Sequence, residues 1–100
     1  MGSRSYIDPK TGKDTRYDLI PVMVADGKIE RLGDIFLFIP KTTVAKDIGL
    51  RLDTWDRWMA KPELFPLRRL LQIAVVCGLT ERQLMELVLA ELEAKKRGNL

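Results

Sequence analysis

The chain contains no histidine and only one cysteine, Cys77, in its 100 residues. Histidine is the commonest general acid–base in enzymes and the commonest protein ligand of transition metals. A single cysteine cannot form a disulfide within the chain, and without histidine it cannot complete a zinc site. We therefore predict a protein that is not an enzyme and that holds no metal and no cofactor.

Long apolar runs are also missing. No stretch approaches the roughly 20 apolar residues that a membrane-spanning helix needs, and no apolar leader segment follows the first methionine. We therefore expect no membrane partner and a reducing, cytoplasmic location. Catalytic motifs are absent as well, and the nearest approach to paired carboxylates is Asp53 and Asp56, one helical turn apart. At the start of a helix these carboxylates more simply act as cap and dipole partner.

What the sequence does contain is typical of one small soluble domain. Hydrophobic residues make up 46%, charged residues 31%, and the net charge is +3, which permits an anionic partner without requiring one. Residues 1–16 are polar and have no apolar period, so they predict a flexible N-terminal arm, with the folded domain over residues 17–100. Lys10, Lys13 and Arg16 could contact phosphates, but nearby aspartates nearly cancel their charge and favour a solvated tail.

Apolar residues at a helical period predict an all-α bundle of five or six helices. The expected helices cover residues 33–39, 42–49, 52–60, 63–77 and 80–96. Gly49, Pro62 and Gly78 end three of them, since glycine suits a helix C-terminus and proline disfavours helical backbone before it. Thr80 and Gln83 form a capping box at the start of the last helix.

Residues 17–32 allow two interpretations. Asp26-Gly27 between apolar runs is a hairpin signal, although Pro21 would suit only an edge strand. Alternatively, Asp18 would cap a short helix with Pro21 in its first turn and Gly27 at its end. We expect the helix, with its buried face formed by Leu19, Ile20, Met23 and Val24.

The segment Pro40–Leu64 organises the rest of the chain. It predicts two short helices joined by a tight turn at Gly49, which is the helix-turn-helix pattern. Its apolar positions are Val44, Ala45, Ile48, Leu52, Trp55, Trp58 and Met59. We expect Trp55, Ala45 and Leu70 to be buried together, and Arg57 to face away from that apolar stripe.

The stretch VAKDIGLRLDTWDRWMAKPELFPLRRLLQIAVVCGLTERQLMELV resembles the helix-turn-helix core of the phage repressor and Cro family, also called Xre-type. The resemblance is carried by Val44-Ala45, Gly49-Leu50 and the pair Trp55 and Trp58 at that family's recognition-helix anchors. Two features depart from the family pattern. Arg51 stands where a capping Ser, Thr or Asn is usual, and two aspartates lie on the helix that would meet DNA.

This resemblance implies a sequence-specific protein that binds double-stranded DNA, a small transcriptional regulator of phage or mobile-element type. The helix pair would cover residues 41–60. Its second helix, the recognition helix 52–60, would enter the major groove, and the N-terminus of its first helix would rest on phosphates. The residues expected to meet DNA are Lys41, Thr42, Leu52, Asp53, Asp56, Arg57 and Lys61. The alternative is a helical protein–protein interaction module that keeps this fold without binding DNA, and the aspartates favour it because phosphates repel them.

The last helix carries more apolar surface than a small bundle usually covers. Leu84, Val88 and Leu92 form one stripe, and three further residues, Met85, Leu87 and Leu89, lie beyond it. Since one helix-turn-helix contacts few base pairs, we expect a homodimer through this C-terminal helix.

Overall fold

The computed structural model describes residues 6–98, and in this range the chain is built from helices and the turns between them. The α-helices are α1 Leu19–Ala25, α2 Lys41–Asp47, α3 Leu52–Ala60, α4 Leu67–Cys77 and α5 Glu81–Gly98. Short 3₁₀ helices cover Thr15–Asp18, Leu32–Leu37 and Pro62–Leu64. No strand occurs within residues 6–98, which confirms the all-α prediction. None of the helices in that range is long and apolar enough to cross a membrane.

Residues 6–16 close on themselves in a turn with an isolated bridge between Ile7 and Asp14. The Asp14 carboxylate is buried, and the Arg16 guanidinium donates to both of its oxygens, at 3.0 Å from Nε and 2.7 Å from Nη2. Arg16 also lies 4.3 Å from the centre of the Tyr6 ring. Arg16 thus makes its contacts within this turn. The predicted flexible arm covers residues 1–16, of which residues 1–5 lie outside the described range, and its flexibility stays a prediction.

Residues 17–32 contain a helix, α1, and no hairpin. Asp18 makes no side-chain cap to it; instead Asp14 caps the preceding 3₁₀ helix by accepting from the Arg16 backbone N–H at 2.9 Å. The chain therefore enters α1 directly from a 3₁₀ turn. The expected buried face is confirmed except at one residue, since Met23 and Val24 pack against the core. Ile20 is fully buried, whereas Leu19, expected beside it, is exposed.

The segment expected as helix 33–39 is a 3₁₀ helix, Leu32–Leu37, which is tighter than an α-helix. Two carboxylates hold its N-terminal end: Asp34 accepts from the backbone N–H of Glu30, just before the helix, at 2.9 Å, and Glu91 of α5 accepts from Gly33 N–H at 2.8 Å. The second contact binds the start of the segment to α5. Ile35 is buried, as predicted.

The helix expected over 63–77 begins later, at Leu67. Pro66 interrupts it because proline has no N–H to donate and pushes the preceding residue, Phe65, into extended backbone. Residues Pro62–Leu64 form only a single 3₁₀ turn. The end is as predicted, with Gly78 in the left-handed region at φ 72° and the Leu79 N–H donating to the Ala74 carbonyl at 2.9 Å.

Trp55 lies at the centre of the core and has no exposed surface. The rings of Phe36 and Phe65 meet it edge-on, with centroid distances of 5.3 Å and 5.7 Å. Ala45 and Leu70 are buried in the same cluster, which confirms the predicted packing. A core built on one tryptophan fixes α3 against the elements on both sides of it.

Helix α5 begins with the predicted capping box, in which Thr80 N–H donates to Gln83 Oε1 at 2.9 Å and Gln83 N–H donates to Thr80 Oγ1 at 3.0 Å. The helix packs against α4 and also against the segment Leu32–Leu37. Because both sides of α5 are covered, Leu87 is buried rather than turned away from the core as expected, and Met85 is partly buried. Leu89 remains exposed.

Candidate nucleic-acid interface

Helices α2 and α3 are joined by the four residues 48–51, with Gly49 at φ 72°. The Leu50 N–H donates to the Ala45 carbonyl at 2.8 Å, and the Gly49 N–H donates to the Lys46 carbonyl at 3.0 Å. A side chain with a Cβ is strained at this φ, so glycine is the residue that suits this turn. The result is a helix–turn–helix pair, as the sequence predicted.

Two side chains from outside the pair hold its turn in place. The Arg69 guanidinium of α4 donates to the Ile48 carbonyl at 2.8 Å, which satisfies a backbone acceptor at the end of α2. The Tyr17 hydroxyl donates to Asp47 Oδ2 at 2.6 Å. Burial of the Tyr17 ring raises the pKa of its hydroxyl, and the hydrogen bond to Asp47 raises it further. Both contacts join residues far apart in the chain, so no sequence spacing predicts them.

The outer face of α3 presents Arg57 to solvent, on the side away from the buried Trp55. Within residues 6–98, the Arg57 side chain has no ion-pair or hydrogen-bond partner, and its backbone carbonyl accepts from the Lys61 N–H at 3.2 Å. Lys61 follows one turn later, just past the end of α3, and is also exposed. Arg57 and Lys61 are thus two exposed cations on and just beyond α3, and their contact with DNA stays a prediction.

Asp56 is not a free acid on this surface. Its Oδ1 lies 2.8 Å from Lys41 Nζ, so an ion pair joins α3 to the first residue of α2. Both side chains are 50% exposed, and a pair at that exposure contributes only about 0–1 kcal/mol to stability. The pair offsets the negative charge of Asp56, and it also occupies one of the two lysines expected to contact phosphates.

Asp53 lies in the first turn of α3, with its side chain 70% exposed. Its carboxylate accepts from the Thr54 backbone N–H at 2.8 Å and lies 3.3 Å from Arg51 Nη2. Arg51 itself is the N-cap residue and makes no side-chain hydrogen bond to the helix. The Asp53 carboxylate therefore accepts from a first-turn amide and lies near the positive end of the helix dipole. Both contacts fit a capping role better than a catalytic one.

The last two predicted contact residues are exposed at the starts of the two helices. Thr42 lies in the first turn of α2, after the N-cap Pro40. Leu52 begins α3 and is 40% exposed, so it does not complete the buried stripe with Trp55 that the sequence predicted. An exposed leucine beside Asp53 gives the start of α3 a mixed apolar and acidic character.

Basic residues outnumber acidic ones across residues 41–61, with five cations against three carboxylates. Two of those cations, Lys46 and Arg51, were not among the predicted contacts, although both are exposed. A cleft of about 410 Å³ beyond α3 is lined by Lys61, by Lys95 and Lys96 of α5, and by the acidic residue Glu63. The sequence does not predict this cleft, because its residues are far apart in the chain and meet only when the end of α5 lies near the end of α3.

Comparisons with protein-family models, curated proteins and solved structures return no match to this chain. The geometry alone defines the class to which the described residues belong, an all-α bundle containing a helix–turn–helix pair.

Proposed function

We propose that this protein binds double-stranded DNA in a sequence-specific manner, with α3 in the major groove. The observation that carries the proposal is Arg57, whose side chain is exposed and unpartnered within residues 6–98 on the face of α3 opposite the buried Trp55. A guanidinium in that position can donate two parallel hydrogen bonds to guanine O6 and N7. The anchoring of Trp55 in the core holds α3 in place and so fixes the position on the surface from which the Arg57 side chain extends.

Phosphate contacts would come from the ends of the helix pair. Lys41 and Thr42 stand at the start of α2, where the backbone amides also favour anions. Lys61 stands at the far end of α3. In this proposal the protein is a small cytoplasmic transcriptional regulator of phage or mobile-element type, as the resemblance to the repressor and Cro family implies.

Substitution of the two exposed cations tests the proposal. Arg57→Ala should lower affinity for a specific site by about 1–3 kcal/mol and relax the preference at one or two base pairs. Lys61→Ala should weaken binding to all duplexes alike and reduce the slope of log K against log salt by about one. The measurement is fluorescence anisotropy with labelled duplexes over a salt series.

Arg82→Ala is the matched control for both substitutions. Arg82 is exposed in the first turn of α5, whereas Lys95 of the cleft beside Lys61 lies in its last turn. At 1.5 Å per residue the two ends of α5 are separated by about 20 Å. If Arg57→Ala and Lys61→Ala change affinity no more than Arg82→Ala does at low salt, the helix pair is not a DNA interface.

The aspartates make a separate test. Asp56→Asn removes the partner of Lys41, so the freed lysine should contact phosphate and binding to all duplexes should tighten.

Asp53→Asn distinguishes a capping role for Asp53 from a role in contacting a base. If Asp53 only caps α3, the change should also tighten binding; if it accepts from cytosine N4, specific binding should loosen while non-specific binding does not.

The second candidate function is a protein–protein interaction module on the same fold. The observation that favours it is the start of α3, where Leu52 and Asp53 are both exposed. An apolar residue beside an acid suits a protein surface better than a phosphate backbone. Unchanged anisotropy of a random duplex of about 20 base pairs at low salt, where charge attraction is strongest, would favour this second function.

A further inference from the structure

The outer face of α4 comprises Arg68, Leu71, Gln72 and Val75, which share the side of the helix opposite its buried residues. Arg68 and Val75 are exposed, and Leu71 and Gln72 are partly buried. Val75 is 75% exposed, and Leu67, one turn before Leu71, is 60% exposed. Leu67, Leu71 and Val75 stand at i, i+4 and i+8 and form an apolar stripe along the helix, which is exposed at its two ends and partly buried at Leu71. Such stripes mark contact surfaces.

A groove runs beside this stripe, between α4 and the end of α2. It has a volume of about 390 Å³, and its apolar lining comes from Ile48, Leu71, Val75 and Val76. Its charged lining comes from two helices, since Arg68 stands near the start of α4 and Asp47 ends α2. Asp47 and Val76, which is near the end of α4, also line a second cleft together. The groove therefore has a positive end and a negative end with apolar surface between them.

We propose that this face binds a second copy of the same chain, with the two α4 helices packed antiparallel about a two-fold axis near Leu71. Antiparallel packing about that point brings Arg68 of each copy over Val75 of the other. It also brings each Arg68 guanidinium to the end of the groove where Asp47 of the other copy lies. The two contacts are equivalent, which is the self-complementarity that a two-fold dimer requires.

Other surfaces fit a second copy less well. The homodimer expected through α5 loses its basis, since Leu87 is buried and Met85 is partly buried, leaving Leu89 as the large apolar side chain that α5 exposes in its described part. By contrast, the outer face of α4 supplies an apolar stripe together with paired opposite charges. Its groove contains no residue of α3, and its two residues from the helix pair, Asp47 and Ile48, are not among those expected to meet DNA, so either proposal can fail alone.

The mass in solution tests the proposal. The contact is one short helix face, so we expect a dimer that dissociates on dilution. Sedimentation equilibrium from about 10 to about 500 micromolar, the range in which a small interface is populated, should show the mass rising toward twice the monomer value. A monomer mass throughout that range overturns the proposal and leaves the face for a different protein.

Substitutions identify the face that associates. Val75→Lys should hold the protein at the monomer mass, and Arg68→Glu should do the same by placing a carboxylate against Asp47. Leu89→Lys is the matched control, because Leu89 is 57% exposed on α5; it should leave the dimer intact. All three sites are exposed, so circular dichroism should show unchanged helix content. A dimer that survives Val75→Lys, or one that Leu89→Lys abolishes, overturns the proposal.

Disulfide formation locates the axis. A residue beside a two-fold axis meets its own counterpart, so Leu71→Cys should oxidise to a covalent dimer at least tenfold faster than Leu89→Cys. The native Cys77 is fully buried and does not compete. Equal rates for the two variants would show that Leu71 is not at the axis and would overturn the antiparallel arrangement.

Discussion

Replacing Trp55 by alanine tests the core on which the helix pair depends. The side chain has no exposed surface and meets two aromatic rings, Phe36 and Phe65, edge-on. Truncation of a buried tryptophan removes its transfer free energy and leaves a cavity, which together cost about 3–5 kcal/mol. Since a small domain has a total stability of about 5–15 kcal/mol, Trp55→Ala should remove a large share of the free energy of unfolding.

A second substitution at this position separates packing from polarity. The indole Nε1 is buried and has no hydrogen-bond partner among residues 6–98, a situation that costs about 1–3 kcal/mol. Trp55→Phe removes that donor and keeps an aromatic ring between Phe36 and Phe65. We therefore expect Trp55→Phe to cost less than half as much as Trp55→Ala.

Trp58→Ala is the matched control. Trp58 is only partly buried and contacts the Phe65 ring at a centroid distance of 5.3 Å. Its loss should cost less than the loss of Trp55. Urea unfolding followed by circular dichroism measures all three variants, with the free energy extrapolated at a common m-value. A cost below about 1 kcal/mol for Trp55→Ala would refute the central placement of this residue.

The remaining predictions concern ionisable groups. Burial raises the pKa of the Cys77 thiol to about 12, so a thiol reagent at pH 8 should react with it only after unfolding, and fast reaction of the native protein would contradict its burial. The pKa of Tyr17 is raised in the folded protein, so its contribution to the free energy of unfolding is intact below about pH 10 and is lost as the pH rises further. Tyr17→Phe should lower the free energy of unfolding by about 1 kcal/mol at neutral pH and make its decline at alkaline pH shallower. The Arg16 hydrogen bond lowers the pKa of Asp14, so this carboxylate contributes stability above about pH 4 that is lost as the pH falls. Asp14→Asn should therefore be destabilising at pH 7, and its difference from the native sequence should shrink toward pH 2 in thermal melts.

Periodicity predicted the elements whose structure is decided locally. The capping box of Thr80 and Gln83 fixes the start of α5, and glycine ends α2 and α4 where the sequence indicated. Periodicity did not predict the local structure where a contact with a distant residue determines it. The segment Leu32–Leu37 winds as a 3₁₀ helix with Gly33 bound to Glu91, 58 residues away. The late start of α4 was a local feature that the apolar stripe concealed, because Pro66 breaks the helix within it.

The candidate interface follows the same division. The exposure of Arg57 could be predicted, since two residues separate it from the buried Trp55, which is about 200° around an α-helix and therefore the opposite face. The ion pair between Lys41 and Asp56 could not, because it depends on how α2 and α3 cross. The charge that α3 presents therefore had to be taken from the structure, and it is less acidic than the sequence alone implied.

The most direct test of the proposed DNA interface is an NMR titration of the ¹⁵N-labelled protein with a random duplex at low salt. We predict that the largest amide shifts fall within residues 41–61, led by Arg57 and Lys61, and that the outer face of α4 stays unchanged. A complete absence of shifts under these conditions, or shifts confined to residues outside 41–61, would contradict the assignment of the helix pair as the surface that binds DNA.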